Sequence, residues 1–304
     1  MRILLTGAAG FLGKATVEVL KREHDVVTTD RVGVVDMLGD LTDPAFVKTL
    51  PSVQIVVHAA AVQYASGRLP ILGYRTYFNR NNVAATRLLC NRYERESVHF
   101  VFVGSSMMYL QRGSDAYSPK SEMGGQGIYS STKLAAHNLI KATFPRWATV
   151  IPCIIGGSGR EGLFRRLVES LRRHRRVTIP GSGSHLTQMV HVDDVASLIG
   201  LVVRRSATGL YNAAGPEPLS VDQWITEISD HLGLSSVKIQ RLPLEPVRAM
   251  SMLTGYRLLA REQLLMLEYP HVLDTCGSIE LGWEPQRTNA QIVREVADYI
   301  TNSE

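Results

Sequence analysis

Apolar, mostly β-branched runs recur through the first half of the chain: "RILLTG", "DVVTTD", "QIVVHAA", "HFVFVGSS" and "ATVIPCII". Between them lie "GKATVEVLKRE", "DPAFVKTL", "NNVAATRLLCNRYERE" and "IYSSTKLAAHNLIKATF", whose apolar residues fall at helical spacing. Short continuous apolar runs read as buried strands and three-to-four spacing reads as amphipathic helix. Strands that are apolar throughout, alternating with such helices, predict an α/β fold: a doubly wound parallel sheet covered on both faces. After Gly156 the rhythm changes to glycine-rich turns ("GGSGREG", "PGSGSH"), a short strand "TQMVHV", the helix "DDVASLIGLVV" and then mostly helical sequence. The pattern predicts a sheet domain over residues 1–155, with 186–203 returning to it. Residues 156–304 mostly form a smaller lobe over the sheet's carboxyl edge, where ligands of such sheets bind.

Composition narrows the class. The chain has 304 residues, 45% hydrophobic and 20% charged, the balance of a soluble globular protein. No apolar run reaches the ~18 residues of a membrane span, and "MRILLTG" reads as a first strand rather than a leader. Three distant cysteines, Cys90, Cys153 and Cys276, suit a reducing cytoplasm and offer no metal-ligand spacing. The net charge of +5 gathers in "RRLVESLRRHRR", with six arginines and a histidine around Leu167, Val168 and Leu171. That spacing makes one helix with an apolar stripe and a basic face, either simply solvated or drawing in an anionic ligand. No aromatic residues interleave the arginines, so a nucleic-acid partner is not expected.

Four motifs carry chemistry. In "TGAAGFLG", Gly7, Gly10 and Gly13 follow the first strand and open a helix, where glycines let the backbone approach a pyrophosphate at the helix's positive end. Asp30 closes the second strand, where a carboxylate accepts both ribose hydroxyls and repels a 2′-phosphate. This points to NAD, while Arg31 beside it leaves NADP open. Asp40 follows the next strand, as an adenine contact or, more simply, a turn former. In "VGSSMMY", Ser105 and Ser106 emerge at the sheet's carboxyl edge, positions that also suit turn formers or helix caps. "YSSTK" puts Tyr129 and Lys133 on one helix face, either as a plain surface pair or as a phenol beside a cation able to make it a base. Asn82, in "NNVAATRLL", reads as a helix N-cap.

Together these segments, with "HAAA" at His58 to Ala61, "VHVDDVA" at Val190 to Ala196, "YNAAGPEPLSV" at Tyr211 to Val221 and "ELGWEP", resemble the extended short-chain dehydrogenase/reductases. The resemblance is to their NAD-dependent epimerase/dehydratase branch and runs nearly end to end. It implies a Rossmann-type domain with a C-terminal substrate-binding lobe, Tyr129 as base and Lys133 lowering its pKa and holding the nicotinamide ribose. It further implies Ser105 orienting the substrate oxygen and Asn82 in a proton relay. Phe11, Leu12, Leu41, Ala59, Ala60 and Ala61 join the glycines, Asp30, Arg31 and Asp40 as implied cofactor contacts. Ser105, Ser106, Met107, Arg160 and Thr187 are implied substrate contacts. By the same resemblance the helices near Asn82 and Tyr129 pair in a homodimer, for which Leu88, Leu89, Leu134, Leu139 and Ile140 supply apolar surface beyond one sheet-facing stripe.

The chain departs from the family in three places. Ser106 and Met107 replace the Asp-Glu pair of dehydratases, which disfavours elimination of water, and decarboxylases also need an acid at 107. Thr187 stands where many nucleotide-sugar members have a diphosphate-gripping arginine, with Arg160, Arg165 or Arg166 as substitutes. "LTGYRLLAREQLLMLEYPHVLD" is longer and more apolar than in compact epimerases, and suits a less polar pocket. Three functions compete: an epimerase of a nucleotide sugar, a ketoreductase or dehydrogenase of a deoxysugar, steroid-like or polyketide substrate, and a non-catalytic dinucleotide-binding regulator. The complete Ser105, Tyr129 and Lys133 set argues against the last, because a sensor needs no proton-transfer apparatus.

Overall fold

The computed structural model describes residues 1–64, 70, 73–113, 116–160, 162–256 and 259–303. Glu161, Arg257 and Leu258, parts of two segments singled out above, lie outside them. The first half supplies β1 (Arg2–Thr6), β2 (Asp25–Asp30), β3 (Met37–Leu38), β4 (Ile55–His58), β5 (His99–Val103) and β6 (Trp147–Pro152). Short strands β7 (Ile154–Gly156), β8 (Arg176–Pro180), β9 (Leu186–Thr187) and β10 (Met189–His191) follow. Then β11 (Gly209–Ala213) returns to the main sheet. The seven-stranded sheet has the order β11-β6-β5-β4-β1-β2-β3, and every pairing in it is parallel. The strand order reverses between β1 and β4, so a crevice opens there at the carboxyl ends. The register Leu5↔Val57 and Thr6↔His58 brings the turns after these two strands side by side.

Helices α1 (Phe11–Leu20), α2 (Pro44–Thr49), α3 (Tyr74–Phe78), α4 (Ala85–Tyr93), α5 (Ile128–Thr143), α6 (Leu163–His174) and α7 (Val192–Arg205) cover the sheet or begin the second lobe. Successive strand residues face opposite sides. Ile3, Leu5, Val57, Val101 and Val103 meet Val195, Leu198, Ile199 and Val202 of α7 on one face. Leu4, Val56, Phe100 and Phe102 meet Val47, Leu89, Ala136 and Ile140 on the other. Leu89 and Ile140 are fully buried there, so of the apolar residues expected at a dimer surface only Leu88, Leu134 and Leu139 keep partial exposure.

The second lobe adds β12 (Leu219–Ser220), α8 (Val221–His231), β13 (Lys238–Leu242), α9 (Leu244–Leu253), α10 (Arg261–Glu268), α11 (Cys276–Glu280) and α12 (Asn289–Asn302). It has its own core, with Phe164, Val168 and Leu171 of α6 against Trp224, Ile225 and Ile228 of α8 and Ile292, Val293 and Val296 of α12. Reciprocal caps start two of these helices: Ser220 with Gln223, and Thr288 with Gln291. The predicted basic helix is α6, ending before Arg175 in the left-handed conformation. Asn82 is not an N-cap. A π-helical segment, Asn79–Ala84, joins α3 to α4 without a break, and Asn82 sits inside it.

Candidate active site

The cradle for a dinucleotide forms where β1 turns into α1. Gly7 has φ +73°, and a Cβ on it would lie 2.6 Å from the Ala60 backbone nitrogen. A Cβ on Gly13 would lie 2.0 Å from the Gly7 carbonyl. Neither position admits a side chain, so bare backbone N–H groups line the N-terminus of α1, as a pyrophosphate requires. Asp30 leans over the turn, accepting from Ala9 N at 3.1 Å and Arg31 N at 2.7 Å. Each carboxylate oxygen still has a lone pair for a ribose hydroxyl. Ala59 and Ala60 lie beside Gly7 after β4. These residues fit NAD. Arg31 reaches across to Asn81 Oδ1 at 3.3 Å. Asp40 accepts from Thr42 N at 2.8 Å in an exposed turn, with Leu41 buried behind it.

Ser105 follows β5 by two residues and caps the short turn Ser106–Met108, and its hydroxyl favours the ionised form of the Tyr129 phenol. It also accepts from Met107 N at 3.3 Å. Burial pushes the phenol up to about 12, against the pull of Ser105 and the Arg160 guanidinium, while Glu262 raises it further. Lys133 is 2% exposed, with Nζ 4.2 Å from the centre of the Phe102 ring. Burial brings its ammonium down to about 7. The Arg160 guanidinium is a cation that acts on the phenol. Arg160 also stacks over Phe11, 5.9 Å from ring centre to guanidinium carbon. Its loop is anchored by Glu295, which accepts from Ser158 N and Ser158 Oγ, each at 2.8 Å, and meets His191 Nε2 at 3.1 Å. Among the described residues Arg160 forms no ion pair with a carboxylate. Arg165 pairs with Glu169 on its own helix and Arg166 is exposed, so of the three candidate arginines Arg160 is the one beside Tyr129.

Asn82 is 2% exposed. Its Oδ1 accepts from Val62 N at 2.8 Å, and its Nδ2 donates to Val62 O at 3.1 Å and Thr132 Oγ1 at 3.0 Å. It ties the loop after β4 to α5 between Tyr129 and Lys133. Thr187 is buried, and its hydroxyl has no partner among the described residues. Ser106 turns away to His271, with Oγ 2.7 Å from Nε2, and His271 Nδ1 lies 2.8 Å from Gln111 Oε1. Gln111 Oε1 only accepts, so Nδ1 carries the proton and Ser106 donates to Nε2. Sequence reading missed His271, Glu262 and Tyr64. All three reach the site from afar in sequence; Tyr64 sits in no quoted segment, and Glu262 and His271 lie in the long C-terminal segment read above only as apolar.

Residues 3–214 match the model of the NAD dependent epimerase/dehydratase family, and the chain belongs to that family. It is 26% identical over 286 residues to a 2-alkyl-3-oxoalkanoate reductase of Stenotrophomonas maltophilia, spanning 85% of this chain and 81% of that one. It is 27% identical over 250 residues to a dTDP-glucose 4,6-dehydratase of Mycolicibacterium smegmatis, spanning 71% and 73%. Among solved structures, MoeE5 in complex with UDP-glucuronic acid and NAD superposes with a TM-score of 0.79 at 23% identity, all of each chain covered. The UDP-glucuronic acid 4-epimerase of Bacillus cereus in complex with NAD gives 0.78 at 19%, covering 100% and 99%. At these identities the likeness is one of fold, a Rossmann-type α/β sheet.

Proposed function

We propose that the protein is a hydride-transfer oxidoreductase in which Tyr129 exchanges the proton of a carbinol or keto oxygen, on a nucleotide-activated sugar. The observation that carries this reading is the turn after β1 that admits only glycine, with the buried Tyr129 and Lys133 on one face of α5 and Ser105 acting on the phenol from the carboxyl edge of the sheet. NAD, when bound, supplies hydride acceptance and return. Tyr129 takes the hydroxyl proton as the carbinol C–H leaves as hydride, and gives it back when the ketone is reduced. Ser105 holds the same oxygen, and Asn82 fixes α5 against the loop after β4. Lys133, buried beneath the phenol's helix turn, holds the nicotinamide ribose. Arg160, free of carboxylate partners among the described residues, supplies a charge for the substrate diphosphate that Thr187 does not.

Ser106 and Met107 carry no acid–base pair, so the reading favours epimerisation over dehydration. Incubation with UDP-glucose and UDP-glucuronic acid, following epimer formation and any reduced cofactor, tests it; no conversion and no reduction with either would count against a sugar nucleotide. A second reading, a one-way ketoreductase, gains from Thr187 and from the reductase named above. An epimerase retains its NAD through purification, whereas a reductase exchanges it. Asp30 favours NAD over NADP, and parallel fluorescence titrations that gave tighter NADPH binding would reverse this. We also propose a two-fold homodimer through α4 and α5; a monomer by light scattering at micromolar concentration would exclude it.

A further inference from the structure

The first turn of α5 is capped in an unusual way. A helix leaves its first four N–H groups without internal partners, and a Ser, Thr, Asp or Asn at the N-cap ordinarily accepts from the second or third. The N-cap here is Gly127, which has no side chain to do so. Its donors are taken from outside the helix. Ser130 N donates to Glu262 Oε1 at 2.8 Å, and Tyr129 N donates to the Tyr64 hydroxyl at 3.2 Å. Tyr64 in turn donates to Glu262 Oε2 at 2.7 Å. Tyr64 comes from the loop after β4 and Glu262 from the first turn of α10. Glycine at 127 is required by this arrangement, since a Cβ there would lie 2.0 Å from the Glu262 carboxyl carbon.

Glu262 is 2% exposed, and among the described residues no Lys or Arg pairs with it. Its carboxylate instead lies at the N-termini of α5 and of its own helix, both of which favour negative charge. A buried carboxylate with no cation is costly unless something needs it there. What it touches is the backbone turn that carries Tyr129. The Tyr64 ring also packs edge-on against the Tyr129 ring, with centres 6.0 Å apart.

We propose that Glu262 and Tyr64 are positioning residues that cap the catalytic helix from outside, so that the C-terminal lobe sets both the placement and the ionisation of Tyr129. The proposal rests on Tyr129 being the base. The groups that act on the phenol are Ser105 from just past β5, Arg160 from the loop after β7 and Glu262 from α10, while Lys133 lies one turn along α5 against Phe102. Arg160 favours the phenolate and Glu262 opposes it. The second lobe therefore brings two opposed charges to the surroundings of one phenol, Glu262 at the backbone turn that carries it.

The test needs no substrate. Ultraviolet titration of phenolate, taken as wild type minus Tyr129→Phe, isolates Tyr129 among the 11 tyrosines, in pH jumps short enough to precede alkaline unfolding. Glu262→Gln keeps an acceptor for Ser130 N and removes the charge, so Tyr129 should ionise at lower pH. Arg160→Gln should move it to higher pH. Tyr64→Phe keeps the ring and the charge but orphans Tyr129 N; the first turn of α5 should lose amide-exchange protection by ~10-fold or more while the rest of the helix keeps its own. A Glu262→Gln titration matching wild type, or unchanged protection in Tyr64→Phe, overturns the outside cap. Failure of the base reading is separate: it would show as near-normal turnover in Tyr129→Phe, whatever the cap variants do.

Discussion

Lys133 illustrates how a single side chain's surroundings set its behaviour. Its ammonium is buried against Phe102, and burial alone brings it from 10.5 to about 7. The unfolded chain therefore holds a proton there, between pH 7 and 10.5, that the folded chain has lost. Stability must rise with pH across that window, by up to ~1.4 kcal/mol per pH unit. Denaturant unfolding should show this rise in wild type and a flatter profile in Lys133→Met; equal slopes would mean that the ammonium is solvated. Tyr129 and Lys133 were legible in sequence because a four-residue spacing fixes their common face. Ser105 was legible because it ends an apolar run. Tyr64, Glu262 and His271 were not, because each acts through a contact across 65 or more residues that only the folded chain creates.

At the scale of elements, alternation and spacing placed the strands and helices of the first half closely, since each is buried on a continuous apolar face. The misses have physical causes. Strand β13 is exposed along its whole length, so "KIQRL" has no apolar period to read. Strand β11 is a sheet edge with three half-buried residues, and it was quoted as a motif without being read as a strand. The π segment inserts within a helix whose apolar positions still look regular, which turned Asn82 from an expected cap into a buried tie. The glycine turn was fully legible, and its geometry gives a sharp expectation. Gly13→Ala puts a methyl into the Gly7 carbonyl, so the turn must open. NAD affinity should fall by ~10-fold or more, since several backbone donors lose their aim together. Calorimetric titration of NAD checks this, and wild-type affinity would mean that the turn yields without cost.

Across the whole molecule, three of the buried histidines most strongly constrain the conditions under which the fold persists. Burial lowers His58 to about 3, with Lys133 adding to the effect, and lowers His137 and His271 to about 4. All three are neutral in the folded protein below the pH at which they protonate in the unfolded chain. Stability should thus fall as pH drops from 6.5 toward 4, each contributing up to ~1.4 kcal/mol per unit. Thermal midpoints should decline from about pH 6.5 to 5, below the window in which Lys133 acts; a flat profile there would contradict the buried, neutral assignment. His271 sits at the join of the two lobes and His58 at the sheet's crevice, so acid should loosen the site itself. That site is the central claim, and one variant tests it most directly. Tyr129→Phe removes a single oxygen and leaves the ring's packing against Tyr64 and Phe78 in place. General acid–base catalysis is typically worth ~100- to 10,000-fold, so turnover should fall at least ~100-fold while NAD affinity and the thermal midpoint stay near wild type. Near-normal turnover in Tyr129→Phe would contradict the account.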